Sequence, residues 1–270
     1  MVRGVARRFG VRFQRRWGQN FLTDRRQLGR LVEALHLEQH DRVVEVGPGL
    51  GTLTAEIAVR VQEVVGVEID PACVRALGLT LRGRQNVRII GADILRTNVA
   101  ELVPSPYRVL GNIPYNLTGA LFVQLLEASP PPSRIELVVQ QEVAQRLAAP
   151  PGGWSLATLG VRVFGRPELV LRIPRSAFLP QPDVDSALLR VTPDAHPLVP
   201  RQDLAEFFAF VTPFFQARRK QLPFALARRR GVTTAEARAR LGVIGIDPAR
   251  RPETLSLEEW RQFFEDERRA

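Results

Sequence analysis

Gly47, Gly49 and Gly51 sit at alternate positions in EVGPGLG, residues 45–51, between a β-branched stretch and a helical pattern that begins near Thr52. Glycines at a strand-to-helix turn let the backbone approach a ligand closely, and a helix N-terminus presents free N–H groups to it. Two ligand classes use that arrangement. A dinucleotide seats its pyrophosphate on the helix end through G-x-G-x-x-G. S-adenosylmethionine is the other. Here the spacing is G-x-G-x-G and Glu45 precedes it on the strand. A carboxylate aimed into the loop repels a pyrophosphate but can orient a ligand bearing an amine and a sulfonium charge. The loop therefore leans toward S-adenosylmethionine, with a dinucleotide and a purely structural turn still open.

Two further acids narrow the choice. Glu68 ends the next strand-like run, 19 residues after Gly49, where a carboxylate can accept from both ribose hydroxyls. A helix-capping acid is the alternative, because Asp70-Pro71 opens the helix that follows. Asp93 comes three residues after VRII, residues 87–90, and could accept from an adenine amine. Acids after three consecutive strands define a ligand crevice at the carboxyl edge of one sheet. The expected cofactor is S-adenosylmethionine.

The fourth strand ends in GNIPYN, Gly111 to Asn116. An amine on a nucleobase is a poor nucleophile because its lone pair is delocalised into the ring. Two hydrogen-bond acceptors pull that amine toward tetrahedral geometry and free the lone pair. Asn112 offers a side-chain carbonyl, and Pro114 stiffens the turn so that the Ile113 carbonyl can be aimed beside it. Tyr115 supplies a face on which a base taken out of its helix can stack. An ordinary Asn-x-Pro turn is the default for a lone tripeptide, but its place after the fourth strand favours chemistry. No ionised general base and no metal is needed.

The elements that must hold these residues alternate along the chain. Asp24 can cap a helix with Leu28, Leu31, Val32 and Leu35 on one face. Apolar runs follow at 43–47, 64–69, 87–90, 108–112 and 135–140, without clean alternation, as in strands covered on both faces. That pattern predicts a doubly wound α/β sheet. Runs at 168–173 and 186–191 are joined by a short Pro-rich link, too short for a helical crossover, so they are expected to pair antiparallel. After PDAHPLVP, residues 193–200, only helical periodicity remains. The expected organisation is a basic arm carrying a cofactor motif at 1–23, a catalytic domain at 24–192, and an all-helical RNA-binding domain at 193–270.

Composition excludes several classes. Cys73 is the lone cysteine of the 270 residues, which rules out an internal disulfide and fits a reducing cytoplasm. No apolar run approaches the ~18–20 residues of a membrane span. Net charge is +10 and unevenly spread: nine of the first 30 residues are Arg, against one acid, Asp24. The last 70 residues are basic as well, whereas the middle is slightly acidic. Basic edges on a near-neutral body suit a protein that touches phosphates. Solvated charge from an Arg-preferring genome is the plainer account, and 37 Arg beside one Lys supports it in part. An organellar transit peptide is disfavoured because the first Ser is Ser105.

With GQNFLTD at 18–24, EVGPGLGTLT at 45–54, GVEID at 66–70, GADIL at 91–95, GNIPYN at 111–116, FLPQPDVDSALLRV at 178–191, RRKQL at 218–222 and RPETLSLEEW at 251–260, the chain resembles the ribosomal RNA adenine N6-dimethyltransferases. The small-subunit branch, which modifies 16S rRNA, is the nearer in pattern. The large-subunit (23S) macrolide-resistance branch and an idle RNA-binding assembly factor on the same fold are the alternatives. The resemblance implies a Rossmann-like class I S-adenosylmethionine methyltransferase sheet with a small C-terminal helical domain. It implies that Asn20 and Leu22 join Gly47, Glu68, Asp93 and Asn112 around the cofactor, and Gly49, Ile69 and Ile94 are included with them. Asn112, Pro114, Tyr115 and Phe178 are implied to form the target-adenine site, with Phe178 stacking on the base. Read from the residues alone, Phe178 before a Pro-rich turn leans toward a core position. A monomeric cytoplasmic enzyme acting on the assembling small subunit, with Arg218, Arg219, Lys220 and the basic arm on phosphates, completes the expectation.

Overall fold

The computed structural model describes residues 20–217 and 220–269. The basic arm up to residue 19, together with Arg218 and Arg219, lies outside the described residues. Contacts divide the chain into two units: one runs to Gln145 and resumes at Arg166–Pro193, and the other comprises Arg146–Gly165 and the chain from Asp194 onward.

The first unit is built on a seven-stranded sheet. Its strands are β2 (Arg42–Val46), β3 (Glu63–Glu68), β4 (Val87–Gly91), β5 (Arg108–Asn112), β6 (Arg134–Gln140), β7 (Gly165–Ile173) and β9 (Ser186–Pro193), in the order β4-β3-β2-β5-β6-β9-β7. Neighbours from β4 through β6 pair parallel, and β9 runs antiparallel to β6. Helices α1 (Arg25–Ala34), α2 (Thr52–Ile57), α3 (Pro71–Thr80) and α4 (Thr118–Glu127) alternate with the strands. The five expected parallel strands are all present. The two late runs are hydrogen-bonded neighbours, with β9 set between β6 and β7.

Burial explains the run composition. Val43, Val44, Val46, Val64, Val65 and Val67 are all at most 2% exposed, because helices cover both faces of a parallel sheet. The chain order reverses between β2 and β5: the elements after β2 build outward through β3 and β4, and the next strand returns to the other flank of β2. Loops leaving the carboxyl ends of β2 and β5 diverge there and open a crevice.

At the opposite, amino edge of the sheet lies a buried charge network. Glu136 bridges Arg108 Nη2 at 2.5 Å and Arg190 Nε at 2.8 Å, and Arg108 Nη1 meets Asp41 at 2.6 Å. The same guanidinium groups donate to the Ala34, Leu35 and His36 carbonyls, which satisfies the acceptors left over at the C-terminus of α1.

A second, two-stranded sheet joins β1 (Phe21–Leu22) to β8 (Phe178–Leu179), with Phe21 opposite Leu179 and Leu22 opposite Phe178. The Thr23 and Asp24 amides extend it by donating to the Ala177 carbonyl at 2.9 and 3.2 Å. Two-residue strands carry no periodicity, and nothing in the sequence announced this pairing.

The second unit is helical: α5 (Leu156–Arg162), α6 (Leu204–Gln216), α7 (Leu222–Arg230), α8 (Thr234–Val243) and α9 (Leu257–Arg269). Phe207, Phe210, Phe214, Trp260, Phe263 and Phe264 form its aromatic core, mostly edge to face, the arrangement the ring quadrupole favours. The sequence expectation drew the domain boundary at residue 193, and the structure moves Arg146–Gly165 across it. That segment is tied in by the Gly152 amide on the Glu253 carbonyl at 2.8 Å and by Asp194 N on Phe164 O at 2.9 Å. A helical pattern tells which face is buried but not against which core.

Candidate cofactor and target-base site

All three loop glycines occupy the left-handed region, at φ +65° for Gly47, +60° for Gly49 and +80° for Gly51, where a side chain would be strained. Gly51 also caps α2. Gly49 is crowded in addition: a Cβ there would lie 2.7 Å from Cε1 of Phe21. The β1–β8 pairing thus presses Phe21 onto the glycine loop.

Glu68 closes the loop from the next strand. Its Oε2 accepts from the Gly49 amide at 2.8 Å and its Oε1 from the Asp70 amide at 2.9 Å. Each oxygen keeps a second lone pair for a ribose hydroxyl. Burial pushes the Glu68 carboxyl up, and the two amides pull against that shift. The capping alternative belongs to a different acid, since Asp70 accepts from Ala72 N at the start of α3. Glu45 is 2% exposed and its Oε2 has no hydrogen-bond partner among the described residues. Burial pushes it up to about 8, with the Glu68 charge adding to the rise. A buried acid on a cavity wall with one oxygen unsatisfied is suited to a cationic ligand.

Asp93 caps the short helical turn Ile94–Arg96 through Oδ1 on Leu95 N at 3.0 Å, leaving its other oxygen toward Arg96 at 3.8 Å. Asn112, the last residue of β5, donates from Nδ2 to the Asn20 main-chain oxygen at 2.6 Å. That bond occupies the amide's nitrogen and leaves Oδ1 as the acceptor. Gly111 beside it allows the close approach of β2: a Cβ there would meet the Val46 carbonyl oxygen at 2.6 Å.

One cavity of about 240 Å³ gathers these groups. Gly47, Gly49, Glu45, Glu68 and Ile69 form one part of its wall, Asp93 and Ile94 another, and Asn20, Leu22, Asn112 and Pro114 a third. Every residue expected around the cofactor therefore lines it. Tyr115 and Phe178 do not. Tyr115 follows Pro114 just outside, half-buried, its hydroxyl 2.8 Å from Ser186 Oγ, and burial raises its pKa. Phe178 is 4% exposed and packed in the hydrophobic core with Leu22, Leu31 and Ile173. The residue-level preference for a core position describes it, and the ring presents no open face to a base in this conformation.

Phe21, Leu50, Leu53, Leu95 and Leu117, which the sequence did not single out for the site, supply part of the apolar remainder of the wall. Their signal was weak, because an apolar residue beside a glycine loop reads as core. Among the described residues no cluster of His, Cys, Asp and Glu could hold a metal ion, and no helix is long and apolar enough to cross a membrane.

The chain is similar to known proteins over most of its length. A solved structure described as 23S rRNA methyltransferase ErmE is similar over 91% of this chain and 98% of its own, with TM-score 0.75 and 31% identity. A dimethyladenosine transferase from Plasmodium falciparum shares the fold at TM-score 0.78, 21% identity, over 92% of this chain and 98% of that one. Ribosomal RNA small subunit methyltransferase A of Dehalococcoides mccartyi is 41% identical over 257 residues, 94% of this chain and 88% of the relative. The family model described as Ribosomal RNA adenine dimethylase matches residues 10–266, so the seven-stranded class I methyltransferase sheet, its glycine loop and its Asn-Ile-Pro-Tyr turn place the chain in the ribosomal RNA adenine dimethylase family.

Proposed function

We propose that the protein transfers methyl groups from S-adenosylmethionine to N6 of adenine in small-subunit (16S) ribosomal RNA, twice on each of two adjacent adenines, during ribosome assembly. The observation that carries this reading is Asn112: it lines the cavity with the glycine loop, and its amide nitrogen is held by the Asn20 carbonyl, which leaves its oxygen as the acceptor.

The residues present fit the cofactor. Glu68 would take the ribose, Asp93 the adenine amine, and the unpartnered Glu45 oxygen the cationic end, over glycines whose conformation keeps the loop open. When bound, the cofactor supplies an electrophilic methyl on sulfur. The chain's own work is positioning. Asn112 Oδ1 and the Ile113 carbonyl would accept from the target amine, so that its freed lone pair could take the methyl in line as the methyl's bond to sulfur breaks, and the amine proton would pass to solvent. Such preorganisation needs no charged base. The Tyr115 ring, beyond the rim at Pro114, would stack the extruded base, and Phe178 would join it only if its packing opened.

The small-subunit substrate is favoured over the 23S alternative by the relatives: the protein that shares 41% identity is named for the small subunit, and the one named for 23S rRNA shares 31%. The helical unit, the arm at 1–23 and the 218–220 cluster would grip phosphates, which position the enzyme without selecting the base; Lys220 is exposed there. The protein would act as a cytoplasmic monomer. Nucleoside mass spectrometry after incubation with undermethylated small subunits and, separately, protein-free large-subunit RNA tests the reading. Dimethyladenosine is expected in the first alone; label in the second would assign the 23S activity.

A further inference from the structure

Tyr115 is fixed at both ends. Its carbonyl accepts from the Thr118 hydroxyl at 2.9 Å, and its own hydroxyl meets Ser186 Oγ at 2.8 Å, 71 residues away. Ser186 is itself immobile. It is 0% exposed, it is the first residue of β9 in register with Gln140, and the preceding Asp185 accepts from Gln141 N through its carbonyl at 2.9 Å. Asp185 Oδ1 in turn accepts from the Arg175 amide at 2.9 Å. The hydroxyl of Tyr115 is therefore anchored to the sheet, and Tyr115 itself, though not part of the cavity wall, stands in sequence between two residues that are, Pro114 and Leu117.

A stacking platform needs only a ring face, which phenylalanine provides equally well. A hydroxyl held against the serine that begins β9 adds something else: it removes the freedom of the ring to turn about its side-chain torsions. We infer that Ser186 is a positioning residue for the methyl transfer, orienting the Tyr115 ring through the hydroxyl pair so that the target amine meets Asn112. This rests on the reading of Tyr115 as the base-stacking residue. The bond acts before chemistry by reducing the number of ring orientations that must be frozen when a base arrives.

The test is a double-mutant cycle on the full-length protein with undermethylated small subunits, reading single-turnover methylation, cofactor affinity and melting temperature. Ser186→Ala and Tyr115→Phe should each slow transfer by about five- to tenfold, the range that one neutral hydrogen bond of ordinary net strength covers. Ser186→Ala/Tyr115→Phe should be no slower than either single variant, with S-adenosylmethionine affinity unchanged in all three. Additive losses, or a single variant that transfers at the full rate, would overturn the inference. Tyr115→Ala separates this from the underlying reading. If it is inactive while Ser186→Ala is fully active, stacking by Tyr115 stands and the anchor falls; if Tyr115→Ala is itself fully active, both fall.

Discussion

Asn112 Nδ2 lies 2.6 Å from the main-chain oxygen of Asn20, a bond that spans 92 residues of sequence. It decides which way the carboxamide faces. The nitrogen donates to the segment entering β1, and the oxygen remains as the group's acceptor. A carboxylate at this position would put two acceptors against one another.

Asn112→Asp is accordingly expected to be nearly as damaging as Asn112→Ala. Both should reduce single-turnover transfer by at least about 100-fold, the scale of losing one preorganised group at a reacting centre, while RNA affinity in filter binding stays within about twofold because phosphate contacts dominate it. An Asp variant with near-normal turnover would mean that the amide orientation is not what matters.

Gly49→Ala should affect both stability and the cofactor. Its φ of +60° and the 2.7 Å approach to Phe21 leave no place for a methyl. A loss of about 1–3 kcal/mol, typical of a side chain forced into the left-handed region, should be seen in urea unfolding, with weaker cofactor binding by titration calorimetry. Phe21→Ala costs stability of its own, because the ring is buried, so the double variant should lose less than the sum of the two single losses, the clash being removed but not the strain.

Glu136→Ala is expected to destabilise the first unit by about 3–5 kcal/mol, the cost of stranding buried partner charges, here Arg108 and Arg190. The site should be spared in the folded protein. Arg108 begins β5 and Asn112 ends it, so the network and the cavity lie at opposite edges of the sheet. A lowered denaturation midpoint with unchanged cofactor affinity would confirm the separation; loss of affinity at full folding would contradict it.

The pH dependence follows from Glu45, raised from 4.5 to about 8 by burial, with Glu68 beside it adding to the shift. A raised carboxyl binds its proton more tightly in the folded state, so its contribution to stability is present below about 4.5 and is lost as pH rises toward about 8. The melting temperature of the cofactor-free protein should fall across that window, and Glu45→Gln should flatten the slope. A cationic ligand favours the ionised acid, so S-adenosylmethionine affinity should increase toward pH 8 in the parent and lose that dependence in Glu45→Gln. An unchanged profile in the variant would locate the titration elsewhere.

The gathering of the candidate groups was legible in the sequence because parallel strands align their carboxyl ends. Once the runs at 43–47, 64–69, 87–90 and 108–112 are read as neighbouring strands, Glu45, Glu68, Asp93 and Asn112 must gather at one edge, and left-handed turns must be glycine. Local conformation and strand polarity suffice for that, and both are written in nearby residues. What depended on distant pairing was decided by the tertiary structure: Phe21 over Gly49, Asn20 on Asn112, Ser186 on Tyr115, the burial of Phe178, and the transfer of Arg146–Gly165 to the helical unit. The three pair contacts each join separate segments of the chain through single residues, and a contact of that kind leaves no periodicity to read. It is selected only when the rest of the fold has brought its partners within reach.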